Sequence, residues 1–312
     1  MSRHKHKHKH RFLKTFTSLI TLAATGIAGY AYIEEQEALP TPGNTLSDTP
    51  SSQVTKTYSA TQTQNPNTTP SQTSTPQTKS IPDAEKYPDK QITGSTIPIH
   101  GTTPRQAFIK LQSLQEKKIT YDKTYNREQD FGGWALITAN GPWTKEYTGL
   151  KQIKQNKSAP CNTRAATLFR DGENVKTNPK NCTIVAGNWL EPYTNTQINS
   201  PKDLQIDHIV PLASAWGIGA KEWSQDKRVA FANDPINLVS SDDNANQAKG
   251  DSSAEQWQPV QYSRCYYAIA QINVKAKYGL PVDIRSGKYG NTEKEALTSA
   301  LNTCIGHQGL QQ

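Results

Sequence analysis

An acid and an imidazole stand side by side at Asp207-His208, bracketed by Ile206, Ile209, Val210 and Leu212. Asn237 follows within the short apolar run Ile236-Asn237-Leu238-Val239, and Asn246 and Lys249 follow within Asn246-Gln247-Ala248-Lys249-Gly250. These residue types suit the hydrolysis of a phosphodiester. That reaction needs a base for the attacking water, a cation to hold the phosphate and charge stabilisation for the leaving oxygen. Read for chemistry, Asp207 and Asn246 are the candidate metal ligands and His208 is the candidate general base. Asn237 is read as holding the imidazole in its working tautomer. Lys249, Arg164 and Arg228 are candidates for phosphate contact, although a structural salt bridge serves Arg164 and Arg228 equally well. Each residue alone has an ordinary reading, the Asp-His pair as a surface or capping pair and Asn246 and Lys249 as solvated helix residues. Their order and short spacing make the combination informative.

The elements that must carry these side chains are a strand, a second strand and a helix. Residues Leu204 to Val210 have strand composition, and neighbouring residues of a strand point to opposite sides. Asp207 and His208 therefore share a face only where the strand ends or bulges, and Pro211 supplies an ending because it cannot continue a ladder. Asn246 and Lys249 are three apart and share one side of a helix. Asp242 and Asp243 favour that helix's start, and Gly250 suits its end. Between the strands, Trp223, Ala230 and Phe231 fall at helical spacing within an insertion from Ala213 to Asp234. Trp216 and Trp223 read there as core residues.

Elsewhere, Thr103-Pro104-Arg105-Gln106 and Thr292-Glu293-Lys294-Glu295 are capping-box patterns. They predict helices from Pro104 to about Lys117 and through Leu297, Ala300 and Leu301. Residues 121 to 143 are rich in aromatics and glycine and predict loops and short elements around a satellite core. Ala165 to Phe169 is a short helix or strand, Thr183 to Trp189 a strand and turn, and Tyr262 to Tyr278 a helix.

The net charge of +8 invites a nucleic-acid reading, but six of those charges lie in residues 1–14, which alternate His and Lys and contain no acid. The rest of the chain is near neutral. Thr15 to Ile33 runs for 19 residues without a charge. A basic flank before such a span reads as a transmembrane anchor or a signal peptide, with residues 1–14 a cytoplasmic tail and everything beyond exported. Residues 34–91, dominated by Ser, Thr, Pro and Gln, cannot bury enough surface to fold and read as a disordered linker. The catalytic domain is expected over 92–312.

The chain has four cysteines, Cys161, Cys182, Cys265 and Cys304, with no CxxC spacing. An even number beyond an export segment predicts disulfides. Of three connectivities, Cys161–Cys182 and Cys265–Cys304 are the local ones; four buried free thiols are the alternative.

Asp-His-Ile-Val-Pro-Leu, then Asn-Leu-Val, then Asn-x-x-Lys-Gly resembles the HNH (ββα-metal) endonucleases. It resembles above all their exported bacterial branch, related to the C-terminal domain of GmrSD-type restriction enzymes. The likeness extends through Tyr121-Asp122, Phe131-Gly132, Cys161-Asn162-Thr163-Arg164, Gly187-x-Trp189-x-x-Pro192-Tyr193, Asn233-Asp234-Pro235 and Trp257-Gln258-Pro259, about residues 105 to 305. It implies an α+β fold with a ββα-metal (HNH/His-Me finger) core, flanking helices and disulfide staples. It implies DNA as substrate, with RNA possible, and a single Mg²⁺ on Asp207 and Asn246, Mn²⁺ serving as well. It implies His208 as base, with Asn237 positioning it. Two departures matter. Asn246 stands where the family's name expects His, which favours Mg²⁺ over Zn²⁺. Lys157-Ser158-Ala159-Pro160-Cys161-Asn162 replaces an acidic run, so no accessory metal role is expected there. The alternative, from another class, is a catalytically silent surface or wall module that keeps the fold for binding. No protein partner is inferable.

Overall fold

A computed structural model describes residues 81–305 except 139, 148–160 and 179. The expectations for residues 1–14, for the span 15–33 and for the linker up to residue 80 lie outside the described residues. Among the described residues no helix is long and apolar enough to cross a membrane. The folded part, expected from residue 92, starts earlier. Ala84 and Tyr87 are buried, Tyr87 stacks on Phe108 at 4.5 Å, and its hydroxyl donates to Asn302 Oδ1 at 3.0 Å. Residues 81–91 therefore belong to the folded part and not to the linker, because Ala84 and Tyr87 anchor the stretch by their burial.

The chain is α+β. Helix α1, Pro104–Ser113, opens with the capping box expected of Thr103 and Gln106 and stops short of Lys117. Glu116–Lys117 instead forms β1, paired in parallel with β7, Val282–Asp283. Two single-turn helices follow, α2, Arg127–Phe131, and α3, Pro142–Glu146. Helix α4, Thr163–Asp171, precedes an antiparallel sheet of β2, Glu173–Thr177, β3, Ile184–Glu191, and β4, Thr196–Ile198. Strand β5, Leu204–His208, then leads through α5, Leu212–Ile218, and α6, Gln225–Ala232, to its antiparallel partner β6, Leu238–Asp242. Helix α7, Asp243–Lys249, follows directly. The chain closes with α8, Arg264–Tyr278, β7, and α9, Glu293–Asn302, whose capping box at Thr292 and Glu295 is also formed.

The β5–β6 ribbon lies where three apolar clusters meet. Ile209 and Val239 belong to the cluster of α1, α8 and α9, and Val210 to the cluster built on α5 and α6 with Phe131 and Trp216. Leu204, Ile206 and Leu238 join the cluster around Trp189 and the Cys161–Cys182 bridge. A ribbon of two strands is marginal alone. Packing on three sides gives it the rigidity that a precise site requires.

Both expected disulfides are present, Cys161–Cys182 and Cys265–Cys304, and no described cysteine is free. The second ties the start of α8 to the end of α9, and such a closure contributes about 2–4 kcal/mol. Trp216 is buried and Trp223 packs against Phe231 and Tyr278, as core residues should.

A buried acidic group makes stability depend on pH. Glu255 is 2% exposed, and neither carboxylate oxygen has a hydrogen-bond partner. Burial, then the charges of Glu293 and Asp283, push it up to about 7, with Lys275 opposing. The folded state thus holds this proton more tightly than the unfolded chain. Its contribution is present at low pH and is lost as pH rises from about 4.5 through 7. Glu255→Gln should accordingly be the more stable protein at pH 8, by on the order of 2 kcal/mol, with the difference gone by pH 4.5. Urea denaturation at the two pH values checks this, and equal midpoints at pH 8 refute it.

Candidate functional site

Strand β5 does not bulge at the acid–imidazole pair. Asp207 pairs with Val239 and His208 with Leu238 in an unbroken antiparallel register. The two side chains therefore leave opposite faces of the ribbon, and the strand ends just after His208 and not between them. They still reach one space, since both line a cavity of about 200 Å³ that Asn246 and Arg127 also line.

On one face, the Asp207 carboxylate is held by two buried donors. The Tyr193 hydroxyl donates to Oδ2 at 2.6 Å. The Lys249 ammonium stands 2.9 Å from Oδ2 and 3.1 Å from Oδ1, and also donates to the His208 carbonyl at 2.9 Å. Lys249 is wholly buried, which corrects its reading as a phosphate contact: an ammonium committed to Asp207 and a carbonyl is not presented to solvent. Helix α7 places it there. Asp242 caps the helix by accepting from the Ala245 amide, and Gly250 ends it at φ +50°. Tyr193 is aimed by a turn in which the Glu191 carboxylate accepts from the amides of Tyr193 and Thr194, both at 2.8 Å.

On the other face, the His208 Nε2 lies 2.8 Å from the carbonyl oxygen of Ala232. A carbonyl can only accept, so Nε2 carries the proton and Nδ1 keeps the ring's lone pair. Ala232 is the last residue of α6, where carbonyls lack helical partners. This corrects the role read for Asn237, whose side chain does not touch the ring. Asn237 Oδ1 accepts from the Val210 amide at 2.8 Å and its backbone carbonyl accepts from Ile209 at 2.8 Å. Asn237 thus fixes the chain immediately after His208, while the insertion supplies the ring's partner. Burial drives the imidazole well below its usual value, to about 3, with the Arg127 and Lys249 charges adding and the Ala232 contact opposing. The ring is neutral at neutral pH. The Trp134 indole stacks on it, with centroids 5.8 Å apart and planes 2° from parallel.

Around the ring opens a cleft of about 480 Å³, lined among others by His208, Asn246, Arg164, Arg127, Glu128 and Trp134. Asn246 donates through Nδ2 to Gln205 Oε1 at 2.7 Å. Arg164 sits in the first turn of α4, which Asn162 caps by accepting from the Ala165 amide. One Arg164 nitrogen donates to the Leu204 carbonyl at 3.4 Å, and Nη1 is buried with no partner. Arg228 takes the structural alternative, donating to the Asp130, Lys221 and Trp223 carbonyls.

The pattern described as "GmrSD restriction endonucleases, C-terminal domain" matches residues 160–288. A protein of Arthroderma benhamiae named "Uncharacterized secreted protein" is 43% identical over 150 residues, covering 47% of this chain and 70% of that protein. The chain belongs to the GmrSD C-terminal-domain family. No solved structure matches it.

The span matched to the GmrSD family contains Arg164, Asp207, His208, Asn237, Asn246 and Lys249. The structure brings His208 and Asn246 to both spaces, Asp207 to the smaller cavity and Arg164 to the cleft, and places Asn237 and Lys249 behind them. Four contributors were missed by reading residues alone: Tyr193, Trp134, Arg127 and the Ala232 carbonyl. Trp134 fell among the aromatics of residues 121 to 143 read as a satellite core, Tyr193 entered only through the family likeness and without a role, and nothing in the local sequence marks Arg127 or a backbone carbonyl. Arg127 and Trp134 also lie before the matched span.

The metal that the resemblance implies can be tested against the donors. Asp207 Oδ1 has a single contact, to Lys249, and Asn246 has no partner on Oδ1 among the described residues. Both residues line one cavity with His208. One carboxylate and one amide oxygen suit a hard ion that keeps most of its waters, as Mg²⁺ does. Among the described residues no three His, Cys, Asp or Glu side chains stand together to hold a metal, so the donor set does not suit a closed zinc site.

Proposed function

We propose that this GmrSD-family protein is an HNH endonuclease that hydrolyses DNA phosphodiester bonds outside the cytoplasm, with β5, β6 and α7 as its ββα-metal core. The observation that carries the reading is His208, neutral, fixed as the Nε2–H tautomer by Ala232 and open to a cleft that Arg164, Arg127 and Asn246 also line. A neutral imidazole with one free lone pair is the species a general base requires.

His208 Nδ1 takes the proton of the attacking water. The water's oxygen bonds to phosphorus as the bond to the leaving deoxyribose oxygen breaks, and that oxygen leaves with a proton from solvent. Asp207 and Asn246 would hold a Mg²⁺ or Mn²⁺ ion, which supplies Lewis acidity at the phosphate when bound. Lys249 and Tyr193 fix the Asp207 carboxylate, Trp134 fixes the imidazole plane, and Arg164 adds its guanidinium charge to the wall of the cleft. The two cleft arginines concentrate positive charge that the near-neutral domain lacks overall. Affinity for long DNA should therefore be modest and fall with salt. Export is supported by the two disulfides and by the secreted relative. Residues 15–33 are the segment that would carry it.

The test is conversion of supercoiled plasmid to open circles by the purified protein. Nicking is expected with Mg²⁺ or Mn²⁺, to stop on chelation, and to return when the ion is restored. Nicking that persists in excess chelator removes the metal from the mechanism. No nicking with any divalent ion removes the nuclease, and favours the silent surface module.

A further inference from the structure

The arginines of the described chain divide by how they are used. Arg170 is spent on Asp171 and two carbonyls, Arg285 on Asp283, Arg105 on Glu85 and Asp89, and Arg228 on three carbonyls. Arg127 has none of these. It is exposed and has no hydrogen bond or carboxylate partner among the described residues; its one described contact is with the Trp134 ring, 5.8 Å from the centroid. It nevertheless lines both cavities that His208 lines, the 480 Å³ cleft and the 200 Å³ space shared with Asp207. Trp134, half-buried, lies parallel to the His208 ring. One indole thus contacts both the imidazole and this guanidinium.

We infer that Arg127 is a catalytic residue that contacts the non-bridging oxygens of the scissile phosphate, and that Trp134 is the positioning residue that sets its reach relative to His208. This rests on the nuclease reading and deepens it. In attack on a phosphodiester, negative charge grows on the non-bridging oxygens, and a planar fork of N–H donors matches two of them at once. A guanidinium committed to a structural partner cannot turn to that task. An uncommitted one held over an aromatic face keeps its donors free while losing little freedom on binding. Arg164 reaches the same cleft from α4 but already gives one nitrogen to the Leu204 carbonyl. Arg127 is therefore the residue with its whole donor set available.

The experiment uses the full chain with Mg²⁺ or Mn²⁺ on two substrates, supercoiled plasmid and bis(p-nitrophenyl) phosphate, the second having no bases and no flanking backbone. Arg127→Ala should lower kcat on both by about 10²–10³-fold, the scale for losing one preorganised donor to a developing oxyanion. Its melting temperature should change little, because the only described contact removed is the exposed one with the Trp134 ring. Arg127→Lys should recover part of the rate through charge without the fork. Trp134→Leu should lower kcat by up to about 10²-fold with Arg127 in place, the scale of a misplaced catalytic group, and Trp134→Phe should restore most of it. Arg127→Ala with kcat intact and only a salt-dependent rise in KM for plasmid would overturn the proposal, leaving a peripheral backbone contact. So would a loss on plasmid with none on the small diester. A wild-type protein inactive on both substrates overturns the nuclease reading and this proposal with it, whereas an active wild type with an unimpaired Arg127→Ala variant overturns this proposal alone.

Discussion

Replacing His208 by alanine is expected to reduce plasmid nicking by about 10²–10⁴-fold, the range for removing a positioned general base. The expectation is specific because the ring has one assignable job. Its Nε2–H is committed to the Ala232 carbonyl, so proton acceptance falls to Nδ1 alone. The fold should tolerate the change. The backbone of His208 holds its place by pairing with Leu238 and by receiving the Lys249 ammonium on its carbonyl, and neither contact involves the imidazole. The stack with Trp134 is lost, at a cost of about 1 kcal/mol. Initial rates of nicking, taken beside a thermal melt, separate the two effects. Undiminished nicking by a folded His208→Ala protein would remove His208 from the chemistry, and the Ala232 contact would then be a packing detail.

What could be read from the chain beforehand follows a physical divide. Local grammar was legible. The capping boxes at Thr103 and Thr292, the helix start at Asp242 and Asp243 and the Gly250 stop are each decided within a few residues, and each formed. The disulfides were legible because a short loop costs little to close, which favours Cys161–Cys182 and Cys265–Cys304. Contacts that depend on the third dimension were not. Helix α7 has seven residues, too few for its periodicity to say which side is buried, so Lys249 read as a phosphate contact when it is wholly enclosed. The partner of the imidazole is a main-chain carbonyl 24 residues away, and a carbonyl has no letter in the sequence. Asn237 was correctly tied to the neighbourhood of His208 but to the wrong atoms, since its amide serves Val210. The start of the fold was misplaced for a different reason. Residues 81–91 look like the polar linker in composition, yet two of them, Ala84 and Tyr87, suffice to anchor the stretch.

Lys249→Met should destabilise the protein by about 3–5 kcal/mol, as breaking a buried ion pair from one side does. Methionine roughly preserves the volume, so the loss reports the charge and not a cavity. What is left behind is the Asp207 carboxylate, 6% exposed, with Tyr193 as its remaining donor and the His208 carbonyl deprived of a partner. The double variant Lys249→Met, Asp207→Asn removes both charges and should regain a large part of the loss, giving a coupling energy that the single changes do not predict. Urea denaturation of the four proteins at one pH measures it; additive single losses would mean that the pair is not formed. The geometry explains why such a costly pair would be kept at this position. Tyr193, at 2.6 Å, and Lys249, at 2.9 Å, both converge on Oδ2, while Oδ1 has one longer contact of 3.1 Å. Two buried donors thus lock the carboxylate by one oxygen and leave the other the less engaged, beside the cavity that His208 and Asn246 share. A ligand carboxylate has to be immobile and yet keep an oxygen to give. A lysine buried behind it meets both requirements, and it does so from the face of the ribbon opposite the imidazole.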